Sequence, residues 1–253
     1  MENLISLFQG DCFELIKEIP RKSVDAIITD PPYGTTSLAW DMKIDLAAWW
    51  EVVEAVVKDN GVIVMFAQQP FATDLINSNR KQFRYELIWR KNSPIGFLDA
   101  NARPMRIHEN ILVFSRYFRR SNDGKRAAST YNPQFTVGKP YHRKHGPRRA
   151  SHYNYSSPEY ESTNLGRRYP VDVLDFPNRN GAKSLHPTQK NLDLVRWLVL
   201  TYTNLNEIVL DPFAGSGTTL VACQQAGRQA IGFELSPQYC EIAQTRLIQL
   251  HVE

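Results

Sequence analysis

The chain has 253 residues, 42% of them hydrophobic and 22% charged, and a formal net charge of +4, which suits one large domain, or one domain with an insertion, around a sizeable core. Its three cysteines, Cys12, Cys223 and Cys240, form no CxxC pair, which excludes a disulfide framework or a cysteine-based zinc site and points to a reducing cytoplasm. The opening Met-Glu-Asn-Leu-Ile-Ser has no basic n-region, and no run approaches the roughly 18 apolar residues of a membrane span, so neither a secretory signal nor a membrane is expected.

In chain order, a first strand is predicted over Ile5–Gln9, followed by Gly10-Asp11-Cys12. A second, Ala26–Thr29, runs straight into Asp30-Pro31-Pro32-Tyr33-Gly34. A helix over Leu46–Val57, a strand over Val62–Phe66, a helix over Pro70–Ser78 and strands over Glu86–Arg90 and Ile111–Ser115 complete the first half. Trp49 and Trp50 read as helix packing, and Trp40 as a candidate cover for a flat ligand.

The next stretch differs. Ten Lys/Arg residues lie between Arg116 and Arg149 (Arg116, Arg119, Arg120, Lys125, Arg126, Lys139, Arg143, Lys144, Arg148, Arg149) against one acid, Asp123. That window carries +9 and leaves −5 for the rest of a chain whose net charge is +4. Seven of the eleven tyrosines fall between Tyr117 and Tyr169, without sustained periodicity, so an irregular, loop-rich insertion is expected. His142-Arg-Lys-His145 has no complementary Cys or acid cluster, and no metal is expected.

Beyond it come a helix over Asn191–Tyr202, a strand over Ile208–Leu210, a Gly-rich turn, a helix over Thr218–Ala226, a strand over Ala230–Phe233 and a helix over Gln238–Leu250. Strands alternating with helices predict an α/β fold, a Rossmann-like, doubly wound and mainly parallel sheet. The divisions expected are 1–115, an insertion over 116–181, and 182–253.

Two strand ends carry chemistry. The first is Asp211-Pro-Phe213-Ala214-Gly215-Ser216-Gly217-Thr218-Thr219, where glycines let backbone turn tightly and approach a ligand. Glu234 ends the next strand 23 residues later, the spacing of a carboxylate that grips ribose hydroxyls. Leu220 replaces the third glycine of the dinucleotide fingerprint, and no Walker loop occurs, so a nucleoside-type cofactor is expected. The second is Asp30-Pro31-Pro32-Tyr33, in which a carboxylate and a carbonyl held out by proline form an acceptor pair for an amino group. Tyr33 offers a face on which a heterocycle stacks.

Together these two motifs resemble the S-adenosylmethionine-dependent DNA amino-methyltransferases. The order, catalytic motif, basic region, then cofactor loop, is similar to that of the β class. His186-Pro-Thr188-Gln-Lys190 resembles the segment that borders the methionine end of the cofactor, with Asn191 where the family usually has Pro. The resemblance implies that Asp11 and Cys12 meet the adenine end and that Glu234, with Leu235 beside it, holds the ribose. Asp30, His186, Thr188, Lys190, Asp211, Phe213, Ala214, Gly215, Ser216, Gly217, Thr218 and Thr219 complete the cofactor site. It further implies that Asp30 and Pro31 accept the two hydrogens of a base amine, that Pro32 shapes the turn, and that Tyr33 stacks on a base flipped out of double-stranded DNA.

The basic insertion suits that polymer through Arg116, Arg119, Arg120, Lys139, Arg143, Lys144, Arg148 and Arg149. Asp before Pro-Pro-Tyr points to the N6 amine of adenine, with the N4 amine of cytosine as the alternative and a non-catalytic DNA-binding regulator of the same fold as the rival from another class. The resemblance allows a homodimer and a separate cognate restriction endonuclease as further partners.

Overall fold

The computed structural model describes residues 4–34, 43–118, 128–150, 155–178 and 189–249. They form two compact units, Met1–Asn132 with Asp172–Glu253, and Pro133–Val171.

The larger unit is built on one eight-stranded sheet. Its strands are β1 (Ile5–Gln9), β2 (Val24–Thr29), β3 (Val57–Ala67), β4 (Phe83–Ile95), β5 (Arg106–Ser115), β12 (Val173–Asp175), β13 (Ile208–Asp211) and β14 (Gln229–Glu234). Their order is β1-β14-β13-β2-β3-β5-β4-β12. All neighbours pair in parallel except β5, which is antiparallel to both β3 and β4. The helices are α1 (Cys12–Leu15), α2 (Leu46–Val56), α3 (Phe71–Ser78), α4 (Leu192–Tyr202), α5 (Thr218–Ala226) and α6 (Pro237–Gln249).

Central strands are apolar on both faces because helices cover both. Ala26 and Ile28 of β2 and Val62, Val64 and Phe66 of β3 join Leu194, Leu198, Leu220 and Cys223 of α4 and α5 in one cluster. The alternate residues, Ile27, Ile63 and Met65, meet Trp49, Trp50, Val53, Phe71 and Leu75 of α2 and α3 in another. Both tryptophans are therefore packing residues, with Trp50 Nε1 donating to Ser78 Oγ at 2.8 Å.

Helix starts follow local chemistry. Asp45 caps α2 by accepting from Ala47 and Ala48 N–H. Asn191 caps α4, accepting from Leu194 N–H at 2.9 Å while its amide donates to the Pro177 carbonyl at 3.1 Å. The residue that departs from the usual Pro thus supplies a buried side-chain cap.

Connectivity reverses between β13 and β2. From β13 the chain passes through α5 outward to β14, and from β2 through α2 outward to β3 on the other side. A doubly wound sheet binds ligands at the carboxyl ends of strands beside such a switch point.

The smaller unit is more regular than its sequence suggests. Three antiparallel ladders are nested: β6 (Thr136–Val137) with β11 (Arg167–Arg168), β7 (Tyr141–His145) with β10 (Tyr160–Asn164), and β8 (Arg148–Ala150) with β9 (Tyr155–Ser157). The register slips by one residue between the first ladder and the other two, so the unit is essentially one two-stranded ribbon. Its stability lies in cross-strand pairs: His145 stacks on Tyr160 at 4.5 Å, Arg167 sits 3.8 Å over Phe135, and Lys144 pairs with Glu161 at 2.9 Å. Neither face of β7 is an apolar row, which is why no period-2 signal appears in the sequence.

Candidate active site

The site is assembled at the ends of β2 and β13. Thr29, the last residue of β2, donates its hydroxyl to Asp211 Oδ1 at 2.6 Å, tying the two strand ends together. Phe213 N–H donates to the same oxygen at 3.2 Å. Asp211 is 3% exposed, and burial pushes its carboxyl up to about 6 although hydroxyls of Thr219 and Thr29 and the Phe213 N–H work the other way.

Past β13 the Gly-rich turn is fixed from three sides. Ala214 N–H donates to the Phe233 carbonyl at 2.8 Å, and Gly215 N–H to Glu234 Oε2 at 2.8 Å. Arg246 of α6 donates to the Ser216 carbonyl, to Ser216 Oγ and to Thr218 Oγ1. Gly217, at φ +77°, caps α5, and a Cβ there would stand 2.8 Å from that of Ala243. Thr218 and Thr219, expected at the cofactor site, hydrogen-bond to Arg246 and Asp211.

Glu234 closes this side. Besides Gly215 N–H it accepts Ser236 N–H at 2.7 Å, which leaves each carboxylate oxygen one further acceptor position. Gly10 N–H donates to the Glu234 carbonyl at 3.0 Å, so Asp11 lies at the adjoining strand end, where its Oδ1 caps α1 through Phe13 N–H. Cys12 is buried, its thiol pushed up to about 12 by that burial. Leu235 is exposed, and Phe213 packs 5.8 Å from Trp49.

On the β2 side, Pro31 is buried and Pro32 and Tyr33 are half-buried. The Tyr33 hydroxyl donates to Asp30 Oδ1, and its ring stacks on Phe71 at 5.3 Å. Asp30 Oδ2 lies 2.8 Å from Lys190 Nζ. Burial raises the Asp30 carboxyl above the usual range, against the pull of Lys190. Lys190, expected from its motif to serve the cofactor, is thus brought to the Asp30 carboxylate.

The residues at this edge fit a nucleoside that carries a positive charge. A Cβ at Gly215 would meet nothing within 4 Å, so the turn leaves open space at its tip. Carboxylates of Asp211 and Glu234 flank the turn, with acceptors suited to a cation and to paired hydroxyls. Among the described residues no group of His, Cys, Asp or Glu could hold a metal ion.

Arg246 and Glu109 are the functional candidates that the sequence does not announce. Arg246 is one of several polar residues on an ordinary helix, and Glu109 follows a histidine in a strand without any motif. Of the basic residues, Arg116 pairs with Asp59 at 2.8 Å in the larger unit. Arg143 and Lys144 lie on β7, Arg148 and Arg149 on β8, and Lys139 precedes β7, all in the ribbon. Trp40, Arg119, Arg120, His186 and Thr188 lie outside the described residues.

Comparisons with known proteins show the family and the fold. The sequence model of a family described as DNA methylase matches residues 24–245. Type II methyltransferase M.HpaI of Haemophilus parainfluenzae is 26% identical over 255 residues, covering 95% of this chain and 73% of that protein. DNA adenine methyltransferase YhdJ of Escherichia coli (strain K12) is 29% identical over 257 residues, covering 96% and 82%. Among solved structures, the M1.HpyAVI-SAM complex superposes with a TM-score of 0.64 at 28% identity, covering 96% of this chain and 99% of that one. The cytosine-N4-specific PvuII DNA methyltransferase shares the fold, with a TM-score of 0.66 at 15% identity, covering 97% and 87%.

Proposed function

The chain belongs to the DNA methylase family and is a DNA methyltransferase, and from that premise we propose that it methylates the N6 amine of an adenine flipped out of duplex DNA, with S-adenosylmethionine as donor. One observation carries the reading. The acceptor carboxylate Asp30 and the Gly-rich turn meet at the topological switch point, joined by the Thr29–Asp211 hydrogen bond.

Bound S-adenosylmethionine supplies a methyl group made electrophilic by its sulfonium. Glu234 holds the ribose hydroxyls, Asp11 the adenine amine, and the turn from Phe213 to Gly217 the remainder. Asp30 accepts one hydrogen of the target amine, whose lone pair is otherwise delocalised into the ring, and the Pro31 carbonyl accepts the other. Those bonds favour the tetrahedral, partly positive nitrogen of the transition state. The nitrogen would gain the methyl carbon as the carbon–sulfur bond breaks, the donor leaving as a neutral thioether, and the methylated amine would then lose one proton to water. An N–H of the incoming base displaces the Tyr33 hydroxyl from Asp30 or shares that oxygen, which retains a second acceptor position.

Adenine is favoured by the Asp of the motif and by the relative YhdJ, named a DNA adenine methyltransferase. DNA contact falls to the basic region over 116–181. A two-stranded ribbon is an element that the major groove admits, and Arg143, with its guanidinium 5.5 Å over the Tyr141 ring, lies on one. The reading also places the protein in the cytoplasm beside its DNA. It extends to a homodimer, which sedimentation of the purified protein tests, and to a cognate restriction endonuclease. Among the described residues no helix is long and apolar enough to cross a membrane.

The deciding experiment is single-molecule sequencing of DNA treated with purified protein and S-adenosylmethionine. N6-methyladenine in one sequence context is expected. N4-methylcytosine would move the target to the other base, and unmodified DNA of every sequence would overturn the reading in favour of a binding protein.

A further inference from the structure

Next to the acceptor carboxylate the structure holds a chain of charges, of which Lys91 and Glu109 belong to no motif. Lys91 of β4 and Glu109 of β5 are ion-paired, their side chains 9% and 6% exposed. Gln68, just past β3, donates to the same Glu109 oxygen at 3.1 Å. The other Glu109 oxygen lies 3.1 Å from Lys190 Nζ, and that ammonium also touches Asp30. Phe66 adds a cation–π contact at 5.0 Å. Two cations face two carboxylates, so the cluster is neutral as it stands. Removing any one charge leaves a surplus of one in a site largely closed to water.

We propose that Lys190 and Glu109 are positioning residues for methyl transfer. Lys190 keeps Asp30 ionised and holds its Oδ2, while Glu109, anchored by Lys91 and Gln68, fixes the ammonium and limits its grip on Asp30. The proposal rests on the reading of Asp30 as acceptor for the target amine.

The geometry gives each residue a sign. Asp30 is faced by the Lys190 ammonium, the Tyr33 hydroxyl, Glu109 beyond the lysine with Lys91 behind it, and Asp211 on the neighbouring strand. Burial disfavours its charged form, Lys190 favours it, and Glu109 disfavours it. Loss of the lysine charge and loss of the glutamate charge therefore move the ionisation of Asp30 in opposite directions. A role confined to packing would move neither.

The test is the pH dependence of kcat for the full chain on duplex DNA, with S-adenosylmethionine binding measured in every variant. Since the ionised carboxylate is the working form, activity falls on the acid side. In Lys190→Met that limb should move up by about one pH unit or more. In Glu109→Gln it should move down, the double variant should return towards wild type, and Lys190→Arg should keep the wild-type limb. A limb that stays in place in both single variants, or moves the same way in both, overturns the proposal. Should Lys190→Met not fold, Glu109→Gln decides alone, because an unmoved or raised limb contradicts the assigned sign. A wild-type protein that methylates no DNA at any pH would instead sink the reading of Asp30, leaving the two failures distinct.

Discussion

Replacing Asp211 by Asn separates what this carboxylate does for folding from what it does for the cofactor. Asn keeps an oxygen to accept from the Thr29 hydroxyl and the Phe213 N–H, so the geometry of the strand end is conserved. What disappears is a buried charge with no ion-pair partner among the described residues, its carboxyl pushed from 3.8 up to about 6 by burial. At about 1.4 kcal/mol for each pKa unit, the ionised form opposes folding by roughly 3 kcal/mol. The folded state binds its proton more tightly than the unfolded chain. The associated stability is therefore present below about pH 3.8 and is lost as pH rises through about 6. Asp211→Asn should accordingly be more stable than wild type at pH 7.5, by about 2–3 kcal/mol or roughly 5–10 °C in Tm. The advantage should shrink between pH 6 and pH 4. Affinity for the cationic cofactor should move the other way, falling about tenfold, the scale of one charge-assisted contact. Urea unfolding from pH 4 to pH 8, with calorimetric titration of S-adenosylmethionine, reads both. A variant less stable than wild type at pH 7.5, or a difference independent of pH, would refute the argument.

Three further outcomes follow from the same geometry. Asp30→Ala should lower methyl transfer by about 10²–10³-fold while S-adenosylmethionine still binds, because it removes an electrostatic partner of the transition state; near wild-type single-turnover rates would contradict this. Gly217→Ala puts a side chain at φ +77° and 2.8 Å from Ala243 Cβ, so α6 must retreat with Arg246. It should cost about 1–3 kcal/mol in urea unfolding and weaken cofactor binding in the same protein. Arg143→Ala in the ribbon should reduce the slope of log K against log salt for DNA by about 0.9, the share of one phosphate contact; fluorescence anisotropy between low and moderate salt measures it, and an unchanged slope would remove Arg143 from the interface.

The parts of the fold that were legible are those with a local cause. β1 and α5 occupy the predicted Ile5–Gln9 and Thr218–Ala226, where apolar composition changes abruptly at turn residues. β3 and β4 run longer than predicted because their pairing resumes beyond register irregularities, at Val57 and at Ile95, and β5 because its ladder continues through the polar Glu109 and His108. The short edge strand Val173–Asp175 has too few residues for any period, and its parallel pairing with β4 spans about 85 positions of chain. Distance in sequence likewise hides the charge cluster. Lys190 reaches Asp30 and Glu109 only because the start of α4 lies over the ends of β2 and β5, and an ion pair leaves no periodic trace.

Asp30, Asp211 and Glu234 show what topology adds to such a motif. Each is an acid at or just past the carboxyl end of a parallel strand, and along the sequence the three look equivalent. Folding gives them three different surroundings. Glu234 accepts two backbone N–H groups and has capacity left for hydroxyls. Asp30 is paired with a lysine that a second carboxylate also contacts, and that lysine opposes the effect of burial on its charge. Asp211 has hydroxyls and one N–H but no cation among the described residues, and it is the most enclosed of the three. A buried anion without a counter-charge gains most when a cation arrives, because the desolvation of the carboxylate has already been met in the fold. The proposed division of labour, hydroxyl binding by Glu234, amine acceptance by Asp30 and response to positive charge by Asp211, therefore rests on which neighbours the sheet order supplies.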